Sequence, residues 1–239
     1  MNIKPLPPPP PSLESEVHRR LRDLIIAGEL VPGALYSMNE LAAQLHVSRT
    51  PVAQAVARLV SEGMVQVEHR RGLRVLETSS HDLAEIYQIR LLLEPRATHR
   101  ATGLMRRAEH RRLSHALEAL GEVVDVAANP REYLRRDAGF HRVVLQASGN
   151  RRLADYIDSL RDLQMIRDQS TVGRSRPLAE LVAEHEQIYQ RIIERDADGA
   201  ARAIHRHIAT TYELLVAQET GEKPGPLAPA WTDLPAAPR

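Results

Sequence analysis

Residues 46–75 read HVSRTPVAQAVARLVSEGMVQVEHRRGLRV. The first half has the spacing of a helix. Ser48 stands at an N-cap position, Val52, Val56, Leu59 and Val60 fall on one face, and Gly63 stops the run. Two short alternating segments follow at 64–67 and 73–76, joined by a turn through Arg70, Arg71 and Gly72. A helix thus runs directly into a basic two-stranded hairpin.

The residues upstream supply the matching first half. Val17, Leu21, Leu24 and Ile25 recur at helical spacing, and the pattern stops near Gly28. The run SMNE at 37–40 reads as a capping box, opening a short helix with Leu41, Ala42 and Leu45 inward. A tight turn at His46 and Val47 then leads to the helix at Ser48. Helix, short helix, turn, helix, hairpin is the order of a winged helix-turn-helix. From about residue 80 to 218 there is no strand signal, and six helices are predicted at 81–104, 106–127, 131–147, 150–172, 178–195 and 197–218. The fold class is therefore mostly α, a winged helix-turn-helix followed by an all-α bundle. The expected domains are a proline-rich arm (1–12), the winged helix (13–77), the bundle (78–218) and a Pro/Ala-rich tail (219–239) that carries Trp231.

The chain has 239 residues, 43% hydrophobic and 26% charged, so its composition is that of an ordinary soluble protein. With no cysteine, disulfides, thiolate catalysis and Cys-ligated zinc are excluded. No apolar run approaches the roughly 20 residues of a membrane span. The opening MNIKPLPPPPPSLESEV lacks the apolar stretch of a signal peptide, and a cytoplasmic chain is expected. A net charge of +1 means that any nucleic-acid surface is local.

Such a surface is legible in the quoted stretch. Ser48, Arg49 and Thr50 form the first turn of the helix that enters the major groove in this fold. Arginine suits bidentate contact with guanine, while hydroxyls and free N–H groups suit phosphate oxygens. The hairpin offers His69, Arg70, Arg71 and Arg74 to the backbone or minor groove. A capping serine and a solvated turn would explain either feature alone; both together, in this order, favour DNA.

The stretch 31–75 resembles the DNA-binding domain of the GntR family of bacterial transcription regulators. The resemblance rests on VPG at 31–33, Leu41 and Ala42, VSRTPV at 47–52, Leu59, Glu62 and Gly63, and Arg71 and Gly72. One departure stands out: the family usually continues with Arg-Glu-Ala, and this chain has Ala53, Gln54 and Ala55. An arginine that normally helps contact the operator is missing, and Gln54 is the residue suited to an adenine edge there.

In the bundle, Leu134, Asp137, His141 and Val144 share one helical face, as do Leu181, His185, Ile188 and Ile192. An aspartate and two histidines therefore occupy core positions. Burying them unpartnered costs several kcal/mol, so they satisfy one another, pair elsewhere, or hold a metal. Asp137 and His141 lie one turn apart and can address one ion. The last helix offers His205 and His207, and the stripe of Ile204, Ile208 and Leu215 does not choose between them.

Residues 80–218 are similar to the FCD ligand-binding domain of the FadR subfamily, and six helices are closer to its VanR-type branch. The matching pieces are Asp137, Phe140 and His141, the Gly149–Asn150 break, Glu184 with His185, and His207 with Ile208. The resemblance implies Asp137, His141, His185 and His207 as metal ligands. Three imidazoles and a carboxylate suit zinc, with nickel or manganese as other candidates. It also implies a small organic acid bound over the metal, and it places Arg90 as a clamp for the effector carboxylate. The spacing equally allows an i,i+4 ion pair of Arg90 with Glu94.

The function expected is a ligand-responsive DNA-binding transcription regulator, most often a repressor in this family. It would work as a homodimer on a two-fold operator and would not be an enzyme. A metal-dependent enzyme is the first alternative, but no general acid or base accompanies the proposed ligands. The second is a non-switching DNA-binding dimer, which predicts no metal and no small-molecule response.

Overall fold

The computed structural model describes residues 12–123, 130–167 and 170–222. The proline arm at 1–11, the tail at 223–239 with Trp231, and Asn129 lie outside the described residues. The chain divides between Glu77 and Thr78 into two compact units.

The first unit holds α1 (Leu13–Ile26), β1 (Leu35–Tyr36), α2 (Met38–Gln44), α3 (Arg49–Ser61), β2 (Val65–Glu68) and β3 (Gly72–Val75). Ser12 caps α1 by accepting from the Ser15 N–H at 3.1 Å, and Gly28 takes the left-handed conformation beyond its end. Val17, Leu21 and Ile25 of α1 are buried with Val52, Ala55, Val56 and Leu59 of α3 in the core of this unit. His46, at φ 54°, makes the sharp turn between α2 and α3.

Three expectations change here. Val60 is 42% exposed rather than inward, since it lies a step beyond the stripe that ends at Leu59. At α2, Ser37 accepts from Asn39 at 3.3 Å, a simple cap in place of the capping box expected with Glu40. The hairpin is also joined by β1, which the pattern missed because two residues carry no readable period. The sheet order is β1-β3-β2, antiparallel throughout, with Leu35 opposite Arg74 and Glu68 opposite Gly72.

The second unit is helical: α4 (Ser80–Leu104), α5 (Arg107–Gly121), α6 (Pro130–Ala147), α7 (Arg151–Ile166), α8 (Leu178–Ile193) and α9 (Ala197–Thr220). A full capping box between Ser79 and Asp82 starts α4. Tyr87, Leu113, Phe140, Val144, Ile188 and Ile204 belong to one buried cluster drawn from α4, α5, α6, α8 and α9.

Two helices are shorter than predicted. α5 ends at Gly121, short of the predicted helix, whose residues 124–127 lie outside the described residues; Gly121 and the β-branched Val123 are weak helix formers, and Val123 is buried just past the end. α7 ends at Ile166 instead of 172. Residues 170–176 form a tight turn, buried at 170–172 and 176 and exposed at its tip, in which the Thr171 carbonyl accepts from the N–H groups of Arg174, Ser175 and Arg176. Gly173, at φ 68°, supplies the left-handed residue that turn requires. Among the described residues no helix is long and apolar enough to cross a membrane.

Candidate functional site

The first unit presents its charged residues at two places. Ser48 sits at the N-cap of α3 with extended backbone, yet its hydroxyl makes no cap bond. The hydroxyl and the first N–H groups of the helix are thus left for an outside acceptor. Arg49, Thr50 and Gln54 are exposed, with Gln54 about one turn further on.

At the hairpin tip, the Arg71 N–H closes a turn onto the Glu68 carbonyl at 3.0 Å, and Arg70 stands at φ 60°. His69, Arg70 and Arg71 are exposed, although Arg71 also pairs with Glu68 at 2.8 Å. Arg74 differs from its neighbours. It is half-buried, and its guanidinium is shared between Glu68 and the Gly33 carbonyl, so it braces the base of the wing. Gly72 is obligatory: at φ 126° a Cβ would stand 2.1 Å from the Tyr36 carbonyl oxygen.

In the second unit Asp137 and His141 from α6, His185 from α8 and His207 from α9 come together, all four buried. One ligand atom from each lies within 4.8 Å of the others. The three Nε2 atoms converge on Asp137 Oδ1, with His185 at 3.0 Å, His141 at 3.9 Å and His207 at 4.0 Å. His205 is half-buried and stands outside the group, which resolves the choice that periodicity left open.

The opposite side of each ring fixes its tautomer. His185 Nδ1 lies 2.7 Å from the Leu181 carbonyl, an acceptor only, so that nitrogen carries the proton. His141 Nδ1 lies 2.7 Å from Glu94 Oε2, and His207 Nδ1 lies 2.7 Å from Glu184 Oε2. Burial and the Arg161 charge push His141 down to about 3, and burial with His185 brings His207 to about 4. Both rings are therefore neutral near pH 7, with bare Nε2 lone pairs facing inward.

Asp137 is ionised: burial acts to raise its carboxyl, but the Arg161 guanidinium beside it holds it well below the usual carboxylate range. A carboxylate oxygen surrounded by lone pairs is electrostatically unfavourable unless a cation lies among them. His141 Nε2 and His185 Nε2 are indeed buried with no hydrogen-bond partner. The donor set fits a divalent first-row ion.

The residues the pattern overlooked form the surround. Arg161 of α7 pairs with Asp137 Oδ2 and lies 3.7 Å from Glu94 Oε1. The signal was present, because Arg161 sits on the apolar stripe of Ala154, Ile157 and Met165, as the histidines do on theirs. Arg90 makes the i,i+4 pair with Glu94 at 2.7 Å and also donates to Gln164 at 2.9 Å. Arg176 donates to Glu184 Oε2 at 2.7 Å and to Thr211 Oγ1 at 2.6 Å.

A narrow pocket of about 20 Å³, partly open to solvent, adjoins the histidines. Asp137 and His207 line it together with Arg90, Arg176, Tyr133 and Gln164. The Tyr133 hydroxyl and Arg176 Nε are buried without partners. Arg90 thus does line the pocket, with Arg176 as a second cation the sequence did not single out.

Comparison with known proteins agrees with this architecture. The family described as "Bacterial regulatory proteins, gntR family" matches residues 13–75, and the FCD domain matches residues 85–210. The HTH-type transcriptional repressor RspR of Escherichia coli is 24% identical over 215 residues, covering 87% of this chain and 90% of the relative. A probable D-xylose utilization operon transcriptional repressor of Paenarthrobacter nicotinovorans is 29% identical over 198 residues, 81% of this chain and 86% of the relative. Among solved structures, E. coli McbR/YncC superposes with a TM-score of 0.76 at 23% identity over 87% of this chain and 99% of its own, a likeness of fold. The chain belongs to the GntR family of bacterial regulators, with an FCD domain behind its winged helix, and is a DNA-binding transcriptional regulator rather than an enzyme.

Proposed function

We propose that this regulator is a cytoplasmic homodimeric repressor whose FCD domain holds a divalent metal ion and releases or strengthens DNA binding in response to a small organic acid. Asp137, His141, His185 and His207 hold the ion, zinc by preference for three imidazoles and one carboxylate, with nickel and manganese as the other candidates. The observation that carries this reading is the convergence of three imidazole Nε2 atoms on Asp137 Oδ1, two of them buried without a partner.

Charge argues for an anionic effector. Around the site, Arg90, Arg161 and Arg176 balance Glu94, Asp137 and Glu184, and the flanking imidazoles His141 and His207 are neutral. A bound divalent ion leaves an excess of positive charge beside an arginine-lined pocket, which a carboxylate would offset. The ion, when bound, supplies a Lewis-acidic anchor for that carboxylate. The protein's own groups orient it: Arg90 and Arg176 as cations, Tyr133 and Gln164 as hydrogen-bonding groups.

On DNA, α3 enters the major groove with Ser48, Arg49, Thr50 and Gln54 leading, while His69, Arg70 and Arg71 contact the backbone or minor groove and Arg74 steadies the wing. Repression is the sign carried by the names of the two relatives.

The test is elemental analysis of protein purified without chelators or a metal-leaching tag, followed by titration with zinc. About one ion per chain is expected. Protein that is metal-free and takes up no added zinc, nickel or manganese sinks the metal reading, and leaves the DNA-binding assignment untouched.

A further inference from the structure

One carboxylate oxygen links an arginine of the pocket to a histidine of the metal-ligand cluster. Glu184 Oε2 accepts from His207 Nδ1 and from Arg176 Nη1, each at 2.7 Å. His207 is a member of the Asp/His cluster, and Arg176 lines the pocket with its Nε unpartnered and buried.

Arg176 is also rigidly placed. The turn at 170–176 holds its N–H on the Thr171 carbonyl at 3.0 Å and its own carbonyl on the Gly173 N–H at 2.9 Å. Pro177, the N-cap of α8, follows directly. The remaining guanidinium nitrogen, Nη2, is bonded to Thr211, itself one turn beyond His207 on α9. Arg176 therefore touches both helices that carry His185 and His207.

Resting on the metal-and-anion reading above, we propose that Arg176 is the residue through which the pocket anion acts on the metal, and that Glu184 is the positioning residue that passes the effect to His207. The coupling follows from the shared oxygen. An anion on Arg176 draws guanidinium charge away from Glu184. Less of the Oε2 charge is then spent on Arg176 and more on the His207 N–H. A stronger acceptor at Nδ1 makes Nε2 a stronger donor to the ion. Anion and metal therefore bind with positive coupling, and by linkage the coupling is equal in both directions. Glu94 makes the same kind of bond to His141 but is held by Arg161 as well as by Arg90, so an anion on Arg90 leaves a second guanidinium beside it and the stronger effect falls on the His207 side.

The experiment measures zinc affinity of the full chain by competition with a chromophoric chelator, with and without acetate or malonate as the probe anion. Wild type should bind zinc more tightly when the probe is present. Arg176→Gln removes the guanidinium that competes for Glu184, so it should bind zinc without the probe more tightly than anion-free wild type and lose the increment from the probe. Glu184→Gln should bind zinc about 10–100-fold more weakly. The imidazole ¹⁵N resonances of metal-free wild type give a readout that needs no variant: His207 should be the Nδ1–H tautomer.

An Nε2–H tautomer, unchanged zinc affinity in Glu184→Gln, or an intact probe increment in Arg176→Gln overturns the proposal while the metal site stands. So does a wild-type zinc affinity indifferent to both carboxylates. Wild type that takes up no zinc overturns instead the reading on which it rests.

Discussion

His185 Nε2 lies 3.0 Å from Asp137 Oδ1, while its other ring nitrogen is committed to the Leu181 carbonyl at 2.7 Å. His185 Nε2 is buried without a hydrogen-bond partner beside that oxygen, and a divalent cation would bridge the two. Zinc at about 100 times its dissociation constant should stabilise the native chain by about 2.7 kcal/mol. For a domain of this size that raises the unfolding midpoint by roughly 5–10 °C. Calorimetry with and without zinc checks this, and His185→Ala should show little or no shift. An equal shift in both proteins would mean that zinc binds elsewhere.

Arg161 carries the opposite charge to the same aspartate. It is 5% exposed, pairs with Asp137 Oδ2, and stands near Glu94. Arg161→Ala strands buried carboxylate charge and should cost about 3–5 kcal/mol in urea unfolding. Arg135, with a side chain 70% exposed beside Glu132, is the control. Its alanine variant should change stability by less than about 1 kcal/mol.

At the DNA surface the two arginine positions should behave differently. Arg49→Ala is expected to lose about 1–3 kcal/mol of operator binding and to relax preference at one base pair. Arg71→Ala should weaken binding to all sequences and reduce the salt slope by about one unit. Fluorescence anisotropy at several salt concentrations separates the two. Arg74→Ala should act mainly on stability, because its guanidinium serves Glu68 and Gly33.

Glu62 links α1 to α3 by accepting from His18 Nε2 at 2.8 Å and from Arg58 Nε at 3.1 Å. Burial acts to raise its carboxyl, and the two partners outweigh it, leaving the group below its ordinary 4.5. A depressed folded-state value means that the stabilisation is complete above about pH 4.5 and is lost as pH falls through the folded value. Hydrogen exchange in α1 should therefore accelerate on acidification below about pH 4.5. In Glu62→Gln the acceleration should be blunted, with protection at neutral pH already lower by about 1 kcal/mol. A variant with the wild-type profile would remove Glu62 from the acid response.

The helical period carried most of this architecture. Where apolar spacing was long, as in α4, α8 and α9, the predicted ends fall within two residues of the observed ones. It failed where two residues made a strand, as in β1, and where a run of Ser170, Thr171, Val172 and Gly173 replaced an expected helix with a turn. The histidines and Asp137 were visible because polar residues stood on apolar stripes; choosing His207 over His205 needed the resemblance. Arg161 obeyed the same rule and was passed over. Glu184 and Arg176 could not be paired from sequence, since their contact depends on the path of a turn that has no period.

The hairpin tip sets adjacent residues under opposite constraints. Arg71 projects outward and can be exchanged without touching the core, whereas Gly72 is held by the Tyr36 carbonyl at its back. Variation in how tightly the protein grips DNA is thus free at one position and forbidden at the next. A lineage bearing this chain can tune its hold on every sequence by changing the tip, while any side chain at Gly72 would push β1 off the sheet and lose the wing altogether.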